Sequence, residues 1–151
     1  MTLAGELSRI SSLFIDTAPI IYYIEAHPQF GPLAKEVFDS FLSGRITAYS
    51  SVLTLTEVLP KPIESGDEKL ARKFSELLEH GKNLNLVDIT AAIAKQAGVL
   101  RGHYPVLRAL DAIQIAAALD VGADAFITND KKLKRMKEIK VLVLSDYLPA
   151  V

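Results

Sequence analysis

Hydrophobic residues in this chain gather into short closed runs, and between the runs lie longer segments in which they recur every three or four positions. The first run, Leu13-Phe14-Ile15, stops at Asp16, the pattern of a strand buried on both faces of a parallel sheet. Pro19 then takes a first helical position for residues 19–27, and Pro32 opens a second helix that closes on Gly44. Residues 45–51 alternate and are β-branched, which predicts a second strand, and residues 52–60 predict a short helix ended by Pro60 and Pro62. In residues 66–81, Leu70, Phe74, Leu77 and Leu78 recur at helical spacing behind Asp67 and Glu68, acids that suit a first turn. A third strand is predicted over 83–89 and a helix over 90–103. A more apolar helix follows over 107–122, with Ile113, Ala116, Ala117 and Leu119 on a wide buried face. Residues 123–130 predict a fourth strand, 131–138 a short basic helix and 139–147 a fifth strand. Strands that alternate with helices imply an α/β fold: a mainly parallel sheet with helices on both sides.

No linker, repeat or low-complexity tract interrupts the pattern, so residues 1–151 are expected to form a single domain. Half the residues are hydrophobic and 23% are charged, which excludes a disordered chain. No apolar run approaches the roughly 18 residues needed to span a bilayer, and the start "MTLAGELSRISS" has no basic stretch leading into an apolar one. The expectation is a soluble, cytoplasmic protein without a membrane partner. With no cysteine, any metal must be held by oxygen or imidazole, which points to hard cations. A net charge of -1 gives no global attraction for nucleic acid, so any such attraction must be local.

Local chemistry then decides. Ligands of open parallel sheets bind beyond the carboxyl ends of the strands, and both Asp16 and Asp130 close an apolar strand there, beside Thr17 and beside Thr128 and Asn129. Glu57 interrupts the apolar "VLTLTEVL", and Asp111 opens the apolar "AIQIAAAL" after Arg108. Carboxylates gathered at one rim repel one another and resist burial unless a cation neutralises them. Mg2+ or Mn2+ is the natural counter-ion, because both favour carboxylate oxygen and water.

The segments "LFIDTAPIIYYIE", "TLTEVL", "LRALDAIQIAAAL" and "FITNDKKL" together resemble the motifs of the PIN domain, and the chain length resembles the VapC-like ribonuclease toxins of toxin-antitoxin pairs. The resemblance spans about residues 13 to 144. It implies strand order 3-2-1-4-5 in a three-layer α/β/α fold, and Mg2+ or Mn2+ held by Asp16, Glu57, Asp111 and Asp130. It further implies metal-dependent hydrolysis of RNA phosphodiester bonds, a small antitoxin protein as partner, and a homodimer. One departure concerns the second place after the first acid, where the family often carries Ser or Asn and this chain has Ala18 before Pro19. Thr17, Ser50 and Ser51 are the remaining candidates to orient Asp16 or a water.

Plainer roles stand beside these. Asp16 can cap the helix that begins near Pro19, Asp111 can complement a helix dipole, Glu57 can be a surface residue, and Asp130 can cap the basic segment. Arg108 pairs with a site carboxylate or a phosphate, or lies on an exposed turn. The run Lys131, Lys132, Lys134, Arg135, Lys137 and Lys140 tracks an RNA backbone or is a solvated face. Tyr22 and Tyr23, beside Ile20, Ile21 and Ile24, read as core or dimer face before base-stacking platforms. His27, His80 and His103 lack metal-ligand spacing and read as surface residues. Two other functions share the pattern: a catalytically silent binding module, and a phospho-accepting signalling domain that would use a strand-end acid.

Overall fold

The computed structural model describes residues 1–150. Five strands, β1 (Ser12–Ile15), β2 (Thr47–Ser51), β3 (Leu84–Val87), β4 (Ala125–Thr128) and β5 (Lys140–Val143), form one sheet in the order β3-β2-β1-β4-β5. Every pairing is parallel. The sheet grows outward from β1, first through β2 to β3 and then, across β1, through β4 to β5. The order therefore reverses between β1 and β4, and their carboxyl ends flank the crevice where such sheets bind ligands.

Alternation within the central strands builds two cores. Leu13 and Ile15 of β1 and Ala125 and Ile127 of β4 face α2 (Thr17–Ile24), α3 (Gly31–Leu42), α4 (Val52–Val58) and α6 (Glu68–His80), among Ile20, Phe38, Phe41, Val58 and Phe74. Phe14 and Phe126 point the other way, towards α7 (Ala91–His103) and α8 (Ala109–Asp120), and their rings stack at 5.6 Å. Both faces of the sheet are thus covered, which is why its strands read as continuous apolar runs.

The local readings differ from this structure at chain turns. Helix α2 begins at Thr17 rather than Pro19, because Asp16 accepts the Thr17 amide and starts the helix at once. Pro60 opens a further helix, α5 (Pro60–Glu64), instead of only ending α4, since proline fits a first helical turn as well as it breaks an interior. The segment "LAGEL" forms α1 (Leu3–Leu7), unforeseen in the sequence, with Thr2 as its cap and Leu3 and Leu7 buried. The basic segment is a 3-10 helix, Lys131–Arg135, and β5 ends at Val143 before a second 3-10 turn, Leu144–Tyr147. Gly44 follows α3 with φ 85°, the left-handed conformation that a glycine adopts without strain.

Candidate metal-dependent nuclease site

Asp16 sits where β1 ends. Its amide continues the sheet by donating to Ile127 O at 2.9 Å, which leaves the side chain at the rim. One carboxylate oxygen, Oδ1, accepts the Thr17 amide at 2.9 Å, and Oδ2 accepts the Thr128 hydroxyl at 2.8 Å. The Thr128 Oγ1 in turn accepts the Asp130 amide at 3.1 Å, so a single threonine orders both strand ends that carry acids. The Thr17 hydroxyl points elsewhere: it donates to Glu57 Oε1 at 2.7 Å and draws the α4 acid towards α2. Asp111 occupies the first turn of α8 with Arg108 Nε 3.8 Å from its Oδ2. Asp130 caps the basic 3-10 helix through the Lys132 amide at 3.0 Å.

Electrostatics binds the acids into one group. Burial pushes the Asp16 carboxyl up to about 6; the Thr128 and Thr17 hydrogen bonds oppose this, while the charges of Asp111 and Glu57 add to it. Asp111 is also raised, first by burial, then by Asp130 and Glu57, against the relief supplied by Arg108 and Lys132. Asp111 therefore feels Asp130, Glu57 and Asp16, and Asp16 also feels Glu57. Among the described residues, however, no three His, Asp or Glu side chains are gathered into a preformed metal cage. The donor set nevertheless fits Mg2+ or Mn2+: it is all oxygen, Mg2+ takes only one or two carboxylates directly and keeps its waters, and Asp16 and Asp111 are both destabilised as anions without a cation.

Several sequence candidates land differently. Ser50 and Ser51 do not touch Asp16; they bond Ile15 O and Gln114 instead, and the orienting hydroxyl is that of Thr128. Asn129 faces away from the acids and ties Tyr22 Oη to the Ser145 amide. Tyr23, half-buried, stacks on the core residue Phe38 at 3.7 Å. His27 is not an idle surface residue, because its Nδ1 accepts the Gln29 and Phe30 amides and shapes the turn into α3. Within the basic run, Lys134 pairs with Asp146 and Lys140 with Glu6, whereas Lys132 and Arg135 join Arg108 in lining a shallow pocket that opens beside Asp111 and Asp130. Gln114 was missed altogether. The available signal was an amide amid Ala112, Ile115 and Ala116 on a fully buried helix face, a position that demands polar partners.

A PIN domain family model matches residues 13–139, and the chain belongs to the PIN domain family. Its fold is similar to that of VapBC2 from Rickettsia felis bound to a promoter DNA fragment, with TM-score 0.71 and 18% identity over 87% of this chain and 98% of that one. VapBC-1 from nontypeable Haemophilus influenzae superposes with TM-score 0.68 at 21% identity, over 89% and 98% of the two chains. Mycobacterium tuberculosis VapC20, a Sarcin-Ricin loop cleaving toxin, gives 0.64 at 16% identity, over 85% and 98%. None of the curated proteins matches the sequence.

Proposed function

We propose that this chain is a Mg2+- or Mn2+-dependent endoribonuclease, the toxin of a type II toxin-antitoxin pair. The observation that carries the reading is the coupling of Asp111 to Asp16, Glu57 and Asp130, and of Asp16 to Glu57, at the β1/β4 crevice. Asp16 and Asp111 are the principal metal ligands, with Glu57 and Asp130 completing the acidic rim. A bound divalent ion there supplies an activated water and neutralises the charge that develops on the phosphodiester. The protein's own part is positional. Thr128 holds Asp16 with its free lone pairs at the rim, and Thr17 holds Glu57. Arg108, Lys132 and Arg135 receive the phosphates flanking the scissile bond. The toxin solved structures support the antitoxin partner by analogy of fold. All four acids come from one chain, so the homodimer bears on assembly rather than on the chemistry.

A phospho-accepting domain fits less well. Such a site wants a second acid beside Asp16, and that neighbour is Thr17, whose hydroxyl is committed to Glu57. Cleavage of a labelled single-stranded RNA with Mn2+ tests the proposal: wild type cuts, Asp16→Asn and Asp111→Asn lose about two orders of magnitude or more, and a chelator stops the reaction. Equal cutting by those variants, still folded, rejects it.

A further inference from the structure

Beneath the acidic rim runs a buried chain of hydrogen bonds with a fixed direction. The Ser50 hydroxyl donates to Ile15 O at 3.2 Å, so its contact with Thr54 Oγ1 at 2.9 Å must be donated by Thr54. Thr54 Oγ1 in turn accepts the Gln114 amide at 3.0 Å. The Gln114 carbonyl accepts the Ser51 hydroxyl at 2.5 Å, and Ser51 Oγ accepts the Leu53 amide in the first turn of α4. Donation thus passes unbroken from α8 through α4 and β2 to the carbonyl just before Asp16. Ser50, Ser51, Thr54 and Gln114 are all buried, with at most 1% of any of them exposed. A buried polar chain in low dielectric is stable only when every member is satisfied, so it admits one mutual placement of its elements.

The spacing is what gives the chain a role. Gln114 lies three positions after Asp111 in α8, and Thr54 three before Glu57 in α4, so each shares a helix face with an acid of the rim. Apolar packing alone would let α8, whose buried face is mostly alanine, slide or rotate on the sheet at little cost, because small uniform side chains interlock weakly. The amide supplies the directional constraint that alanines lack.

We infer that Gln114 is a positioning residue: through Thr54 and Ser50 it sets the separation of Asp111 and Glu57 from Asp16, and with it the fit of the rim to a divalent ion. The consequence for metal fit rests on the nuclease reading; the placement of the helices does not.

The test compares Thr54→Val, which keeps the shape and deletes the hydroxyl, with Thr54→Ser, which keeps the hydroxyl, and with Ser50→Ala as a milder break. Calorimetric titration of the full chain with Mn2+ is expected to show affinity about 10- to 100-fold weaker for Thr54→Val, with Thr54→Ser near wild type. Amide exchange in chelator is expected to quicken in residues 52–57 and 109–114 of Thr54→Val and not elsewhere. Should wild type take up no Mn2+, the nuclease reading fails alone and the exchange pattern still decides the inference. Should Thr54→Val prove too unstable, Ser50→Ala carries both measurements. A variant that melts lower yet keeps wild-type Mn2+ affinity and shows no local exchange change overturns the positioning role and leaves Gln114 a structural residue.

Discussion

Asp16 carries opposed demands at the scale of one residue. The run Leu13-Phe14-Ile15 before it is wholly buried and Asp16 shares that burial, so its carboxylate is stripped of much of its water; two hydrogen bonds compensate only in part, and the carboxyl is held at about 6 against an ordinary 3.8. With its folded value raised, the native state binds this proton more tightly than the unfolded chain. The cost of ionising Asp16 is therefore absent below about pH 4, grows as pH rises through 6, and reaches up to about 3 kcal/mol above it. Asp16→Asn removes that term. Urea titrations in chelator are expected to show the variant gaining stability relative to wild type at pH 8 and losing the advantage by pH 4. A constant difference across that range would show that Asp16 ionises without penalty. The same residue illustrates why two roles were open in the sequence: it does cap α2, and its second oxygen still faces its neighbours at the rim.

Elements of secondary structure carry two further expectations. Helix α7 holds Gly98 and Gly102, around which an added methyl would meet nothing within 4 Å. Glycine inside a helix costs about 0.5 to 1 kcal/mol relative to alanine, so Gly98→Ala is expected to raise the unfolding free energy by that amount, read as a higher urea midpoint at unchanged slope. The basic 3-10 helix divides its charges: Lys134 is tied to Asp146, but Lys132 and Arg135 line the pocket beside the acids. Arg135→Gln is expected to raise KM for RNA with little change in kcat, and to lower the salt dependence of binding by about one counter-ion. Lys134→Gln, which breaks an internal pair, should do neither. Equal effects of the two would make the run an undifferentiated basic face. Sequence pattern located these elements to within a few residues wherever a run was apolar and long. It failed at "PKP", at "LAGEL" and after Val143, where short segments take their shape from what they pack on.

For the whole molecule, the raised carboxyls of Asp16 and Asp111 mark a store of repulsion that a divalent cation would relieve under the proposed function. Binding to the folded state alone raises stability by about 2.7 kcal/mol at a hundredfold excess over Kd. Thermal melts should therefore shift upward with Mn2+ for wild type and remain still for Asp16→Asn and Asp111→Asn. An equal shift in all three would locate the ion elsewhere. No helix among the described residues is long and apolar enough to cross a membrane. The net charge of -1 conceals this local division, acids at the crevice and three cations beside it, because a sum over the chain discards position.

What the sequence alone determined is what neighbouring residues encode. Apolar runs marked the strands, periodic ones the helices, and an acid at the end of a buried run marked a place where charge is tolerated only for a reason. The α/β class was legible on those grounds and the strand order through family resemblance, with Asp16 and Asp130 marked as candidates at strand ends. Only the tertiary structure decided which side chains serve them. Thr128 reaches Asp16 across 112 positions and Gln114 reaches Thr54 across 60, distances that no local periodicity records. Those partners exist because the crossover connections of a parallel sheet bring remote strand ends to one rim, where each buried polar atom must find its bond.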